Sequence, residues 1–152
     1  MATTTTQVSV FTAGAAVATV TWNDGNAIEA VRRGAMRGAI EGANIVRNHL
    51  IFLIQKTAKT GRVYKTKGVT HVASAPGEAP ASDKGDLVRL ISIQVDEAKL
   101  QARVVSGAAH SVMLEFGTPK IAPRPHLRRS IDETRVEVEA AIAKSIRNEM
   151  GG

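Results

Sequence analysis

Ile28, Val31, Ala35, Ala39, Val46, Leu50 and Leu53 recur at gaps of three, four or seven residues, the spacing of one apolar face of an α-helix. The run predicts a long helix. It begins after Asn23-Asp24-Gly25-Asn26, where an Asx side chain can accept from the first free amides, and it extends to about Ala58. Gly34, Gly38 and Gly42 sit four apart inside that helix. Glycine costs roughly 1 kcal/mol per helical position relative to alanine. Three in register therefore predict close approach of another backbone, as at a subunit contact, or a loss tolerated through packing. Glu29 with Arg33 and Arg37 with Glu41 are spaced to pair on the wet side.

The other segments are shorter. Residues 1–6 are small and polar and read as a mobile arm. Val8 and Val10, then Val17, Thr19 and Thr21 against Ala18, Val20 and Trp22, alternate on either side of Gly14, as in a short hairpin or one broken strand. Between residues 43 and 77 there is no acid, while Arg47, Lys56, Lys59, Arg62, Lys65 and Lys67 supply six cations. Residues 59–68 read as a flexible basic loop or hairpin tip, with Val63, Tyr64 and Val69 lending β character. Pro76, Gly77, Pro80 and Gly85 make the next stretch a constrained connector. Residues 86–90 predict a helical turn. Ile91, Ile93 and Val95, a polar turn at 96–99, and Leu100, Ala102 and Val104 predict a β-hairpin. Residues 108–116 are compact and apolar without a clear period. Pro125 suits the first turn of a helix, and Leu127, Ile131, Val138, Ile142 and Ile146 mark a second amphipathic helix ending near Met150.

That order predicts an α+β domain, with a long N-terminal helix and a C-terminal helix packed on a small antiparallel sheet from which a β-hairpin protrudes. Residues 1–22 form an arm with one or two strands, and residues 23–152 a single domain. At 152 residues the chain can bury a core, and five aromatic residues make that core aliphatic. The absence of cysteine excludes disulfides and thiolate metal sites. A net charge of +6 biases the surface towards polyanions or acidic partners. The N-terminus lacks the charged and apolar regions of a signal peptide, and no apolar run is long enough to span a membrane.

Catalytic patterns are missing. His49, His71, His110 and His126 are scattered with no partner at ligand spacing. His49 reads as packed or exposed, and His71 and His126 as loop residues open to hydrogen bonding. The glycines form neither a dinucleotide fingerprint nor a phosphate loop, and Ser74, Ser106 and Ser111 lack a nucleophile elbow. Glu115, beside Phe116, is expected either to have a raised pKa or to be tied to a backbone amide or an arginine. The residues point to no catalytic site, no metal and no cofactor, and the expectation is a protein that is not an enzyme.

Ser74-Ala75-Pro76-Gly77-Glu78-Ala79-Pro80 is followed by Gly85-Asp86-Leu87, a hairpin, Leu114-Glu115-Phe116-Gly117-Thr118, and Pro123-Arg124-Pro125 opening a last helix. This order resembles the small tail-completion or neck (head–tail joining) proteins of tailed bacteriophages. The likeness covers roughly residues 27–150, and its most specific parts are Glu-Phe-Gly-Thr and Pro-Arg-Pro. Two departures stand out: His110 and Ser111 lie where the family more often has a Tyr-Ala pair, and residues 1–22 are longer than usual.

The resemblance implies a virion protein made in the host cytoplasm. It would act by assembling into a ring, usually six-fold, around the DNA channel between capsid and tail. Its partners would be copies of itself, the adjoining neck and tail rings, and DNA held by its backbone without sequence reading. Arg62, Lys65 and Lys67 are the candidates to face the channel. Ile91, Ile93 and Val95 on the hairpin, and Leu114, Glu115, Phe116, Gly117 and Thr118, are candidates for subunit contact. Arg124, Arg128 and Arg129 are candidates for the channel or for acidic surfaces of adjoining rings. The rival expectation is a small basic nucleic-acid-binding protein acting outside the particle; for the loop at 59–68 itself, the alternative to phosphate contact is a solvated loop that merely keeps the protein soluble.

Overall fold

A computed structural model describes residues 5–10, 18–81 and 85–151, with side chains from residue 25 onward. Residues 1–4 of the expected arm, the turn about Gly14, and Ser82, Asp83 and Lys84 of the connector lie outside the described residues. Helix α1 spans Asp24–Gln55 and helix α4 spans Leu127–Glu149. Between and before them lie β1 (Thr5–Val10), β2 (Ala18–Asn23), β3 (Val63–Thr66), β4 (Val69–Val72), the turn helix α2 (Asp86–Arg89), β5 (Ile91–Asp96), β6 (Gln101–Ser106) and the short helix α3 (Ser111–Phe116). The strands form three separate antiparallel pairs, β1–β2, β3–β4 and β5–β6. This is the expected α+β architecture of long helices with small antiparallel sheets. Thr5 and Thr6 belong to β1 rather than to a loose arm.

The packing of α1 on α4 settles the glycine question. A Cβ on Gly34 would stand 2.6 Å from the Cα of Ile146, one on Gly38 2.6 Å from the Cα of Ile142, and one on Gly42 2.8 Å from Cγ1 of Val138. The close backbone belongs to the same chain. Facing the glycines, α4 turns in the small residues Ser130, Thr134, Ala141 and Ser145. The seam therefore follows Ala30, Gly34, Gly38 and Gly42. Ile28, read as part of the apolar face, is 57% exposed, and Val31 is exposed too. The expected intrahelical ion pairs are also replaced: Arg33 and Arg37 both reach across to Glu149, and Glu41 accepts from the Ser145 hydroxyl.

Further along, α1 buries Leu50, Leu53 and Ile54. Leu50 and Ile54 meet Leu87, Ile91 and Ala108, with Val104, Leu114 and Leu127 packed around them. The helix stops three residues before Ala58 because the Leu53 carbonyl is taken by the Thr57 hydroxyl and the Lys59 ammonium, which satisfy a C-terminal acceptor from outside the helical ladder. Hairpin β5–β6 thus lies on α1. Hairpin β3–β4 is exposed on both faces, so it is the protruding one. Its turn residues Lys67 (φ 52°) and Gly68 (φ 80°) are both left-handed, as a two-residue turn matched to strand twist requires.

Candidate functional site: a locked joint and a basic hairpin

Helix α3 carries Glu115 to the start of α4, where its carboxylate accepts from three successive backbone amides: His126, Leu127 and Arg128, each at 2.9 Å. A helix leaves its first amides without internal partners, and a carboxylate there also favours the positive end of the helix dipole. Glu115 thus performs the capping role from a different helix. Pro125, expected in the first turn, instead precedes the N-cap residue His126, so the Pro-Arg-Pro segment directs the chain into the helix rather than beginning it.

The loop between Glu115 and His126 is tied at several points. Gly117 has φ 75°, and a Cβ there would come 2.8 Å from the Ile121 carbonyl oxygen, so a side chain is excluded twice over. Thr118 and Ile121 exchange backbone hydrogen bonds. The Arg124 amide donates to the Leu114 carbonyl at 2.7 Å, and the Gly77 amide to the Pro123 carbonyl at 3.0 Å. The Arg124 guanidinium donates to the Ser74 carbonyl. Within the connector, Glu78 accepts from the Thr60 hydroxyl and from the amides of Ala75 and Thr60. Those bonds, the hydroxyl first, hold its carboxyl below the usual range.

His126 completes the joint. Its Nδ1 lies 3.0 Å from Glu115 Oε2 and 3.3 Å from the Arg124 carbonyl, and its Nε2 lies 3.1 Å from Ser111 Oγ. Both neighbours of Nδ1 are acceptors, which assigns the proton to Nδ1 and leaves Nε2 to accept from the Ser111 hydroxyl. Burial pushes the His126 pKa down, more than its hydrogen bond to Arg124 and the Glu115 charge raise it. For Glu115 burial pushes the pKa up, but the three amides together with His126 outweigh it and the net shift is downward. The expected raised carboxyl is thereby corrected, and the expected tie to backbone amides is found.

Serine, histidine and glutamate in this order have the connectivity of a nucleophilic relay. Ser111 is 2% exposed and His126 is fully buried, and the carboxylate beside the imidazole also accepts from three backbone amides. The arrangement works as a staple holding α3 to α4. Ser111 and His126 were not read from the sequence as one unit. Their only signal is that Ser111 and Glu115 are four apart on one short helix while His126 follows Pro125.

The other sequence candidates are dispersed. Ile91 belongs to the chain's own core, so it is not available as a subunit-contact face; Ile93 is half-buried and Val95 exposed. Leu114 is half-buried, as are Gly117 and Thr118, while Phe116 is 67% exposed. Arg129 pairs with Glu133, which also faces His49 Nε2 at 3.2 Å. His49 is further placed by Ser130 and stacked on Phe52. Arg62, Lys65 and Lys67 lie exposed along the β3–β4 hairpin, apart from the joint, and none of their side chains makes a hydrogen bond or ion pair among the described residues. Tyr64 and His71, cross-strand partners, stack at 5.5 Å between ring centroids. Both line a cleft of about 570 Å³ beside the end of α1, together with Lys59.

No helix among the described residues is long and apolar enough to cross a membrane. No family model, curated protein or solved structure matches this chain.

Proposed function

We propose that this chain is a non-enzymatic structural subunit of a bacteriophage neck or tail. It assembles with copies of itself into a ring, six-fold by the resemblance, that completes the tail or joins it to the head around the DNA channel. The supporting observation is how the Glu-Phe-Gly-Thr and Pro-Arg-Pro segments, which carry the resemblance, are used. Glu115 caps α4, Gly117 makes the turn and Arg124 anchors the connector. These segments serve geometry and leave no reactive group at the surface, as an assembly subunit requires. Among the described residues, open strand edges and the hairpin's unpaired cations are left for a partner to satisfy. Two-stranded sheets have open edges that a neighbour can pair, and a head-to-tail contact that closes by rotation gives a ring.

Arg62, Lys65 and Lys67 on the projecting hairpin are placed to lie along DNA phosphates without reading sequence, and the adjoining neck and tail rings are the other partners. Electron microscopy of purified particles with the subunit located tests this reading, and a subunit absent from the neck and tail ends it. Reversing the three hairpin charges is expected to reduce DNA retention and particle yield; unchanged retention and yield remove the channel assignment. The Tyr64–His71 stack beside the basic hairpin favours a second reading, a nucleic-acid-binding protein acting outside the particle. That reading expects tight, salt-sensitive DNA binding by the isolated monomer, where the neck reading expects weak binding.

A further inference from the structure

Two surfaces of the chain remain uncovered and are complementary. The first is the outer face of α4. Asp132, Val136 and Ala140 follow one another at i, i+4 and i+8, so they form one row, and all are exposed. Val136 is 80% exposed, the highest value among the large hydrophobic side chains of the described residues. It contributes nothing to the seam, because α4 packs through the opposite face. Glu133, Glu137 and Glu139 flank it, and Asp132 and Glu137 make no ion pair among the described residues. An exposed apolar residue with acids around it on a helix offers a partner an apolar contact inside a charged rim.

The second surface is a groove of about 350 Å³ between α1 and the β5–β6 turn. Met36, Ile40 and Leu100 give it apolar lining, and Arg32, Arg33 and Arg37 surround them, with Glu97 at the turn. Arg33 and Arg37 share Glu149; Arg32 makes no ion pair among the described residues. Leu100 adopts φ 52°, a left-handed conformation that non-glycine residues rarely take. The hairpin turn accepts that strain with its leucine lining the groove.

We infer that the subunit contact of the ring is made by the outer face of α4 of one copy, anchored by Val136, seated in the Arg32–Leu100 groove of a second copy. This rests on the ring reading above and adds which faces meet. The two surfaces differ, so the contact is head-to-tail, the kind that generates rings. Acids unpaired on one face meet an arginine unpaired on the other, which fixes register and suppresses like-with-like pairing.

The test is sedimentation velocity of the full chain over a concentration series, with Val136→Glu, Arg32→Glu and the double exchange Arg32→Glu/Asp132→Arg. All three positions are exposed, and thermal melting confirms that the fold is kept. The expected result is assembly of the unsubstituted chain, a rise of at least tenfold in its concentration midpoint for each single variant, and recovery in the double exchange. Because the chain has no cysteine, Ile40→Cys/Val136→Cys adds a second measurement: mild oxidation is expected to give a ladder of covalent oligomers. Rings that form equally well with Val136→Glu overturn this contact while leaving the neck reading intact. A chain monomeric at every concentration also overturns the contact, and locating the subunit in particles then decides the neck reading separately. Cross-linked dimers from Val136→Cys alone show a two-fold contact and overturn it as well.

Discussion

The α1–α4 seam with its joint and the β3–β4 hairpin are built on opposite terms. In the seam, backbone approaches backbone at glycine, the buried hydroxyls of Ser111, Ser130, Thr134 and Ser145 each have a partner, and Glu115 satisfies three orphan amides at once. In the hairpin, Val63, Val69 and Val72 are exposed and three cations lack partners. An isolated two-stranded hairpin is marginal in water, so its valines and edges gain most when another surface covers them. The seam holds the shape and the hairpin holds the unspent interactions. Substitutions should separate along the same line, with large stability effects in the seam and assembly or DNA effects in the hairpin.

The strongest way to break the comparison is at Gly38. Gly38→Val would drive a branched side chain into the Ile142 backbone, and the helices must separate; the expected cost is about 3 kcal/mol or more, seen as a large fall in melting temperature. Gly38→Ala gains up to roughly 1 kcal/mol of helix propensity yet is still expected to destabilise, because its Cβ alone meets the Ile142 Cα at 2.6 Å. If Gly38→Ala raised the midpoint in denaturant, the close-approach account of the glycines would fail.

Glu115→Ala is next, at about 2–3 kcal/mol, since it leaves three amides without their acceptor and His126 Nδ1 with the Arg124 carbonyl alone. Glu115→Gln should lose less, because one amide oxygen still accepts. Equal losses for the two would mean that charge, not acceptor geometry, carries the cap.

Acidification gives a smaller, graded effect with a definite sign. His126 is held below its ordinary value of 6.5, so below pH 6.5 the unfolded chain binds a proton that the folded chain resists, and stability falls as pH drops. Glu115 is held below its ordinary value of 4.5; its contribution is full above pH 4.5 and is lost as pH falls through its folded pKa. Urea midpoints measured from pH 7 to pH 3 should therefore decline in two stages. His126→Gln should remove the first, while a flat profile would disconnect the joint from titration.

The smallest stability effect belongs to Arg62→Glu/Lys65→Glu/Lys67→Glu, expected within about 0.5 kcal/mol because the positions are exposed and unpaired. Its consequence should appear in particles, not in melting curves.

Much of this molecule was legible in its residues. The three- and four-residue spacings located both long helices, period-two alternation located β5–β6, and the absence of acids between residues 43 and 77 marked the basic stretch that carries β3–β4. These are local signals, because a helix or strand period is written in neighbouring residues. What covers each surface is not local. The glycine row required close approach, but only the fold supplied α4 as the partner. The apolar period placed Ile28 and Val31 inward, yet the glycines let α4 come so near that the seam rotated away from them. Glu115 looked like a lone carboxylate in apolar company, and nothing in its own segment places the first amides of α4, eleven to thirteen residues on, around its oxygens. Spacing determines which face a residue shares; tertiary packing decides what that face meets, and with it whether a serine, a histidine and a glutamate react or merely hold two helices together.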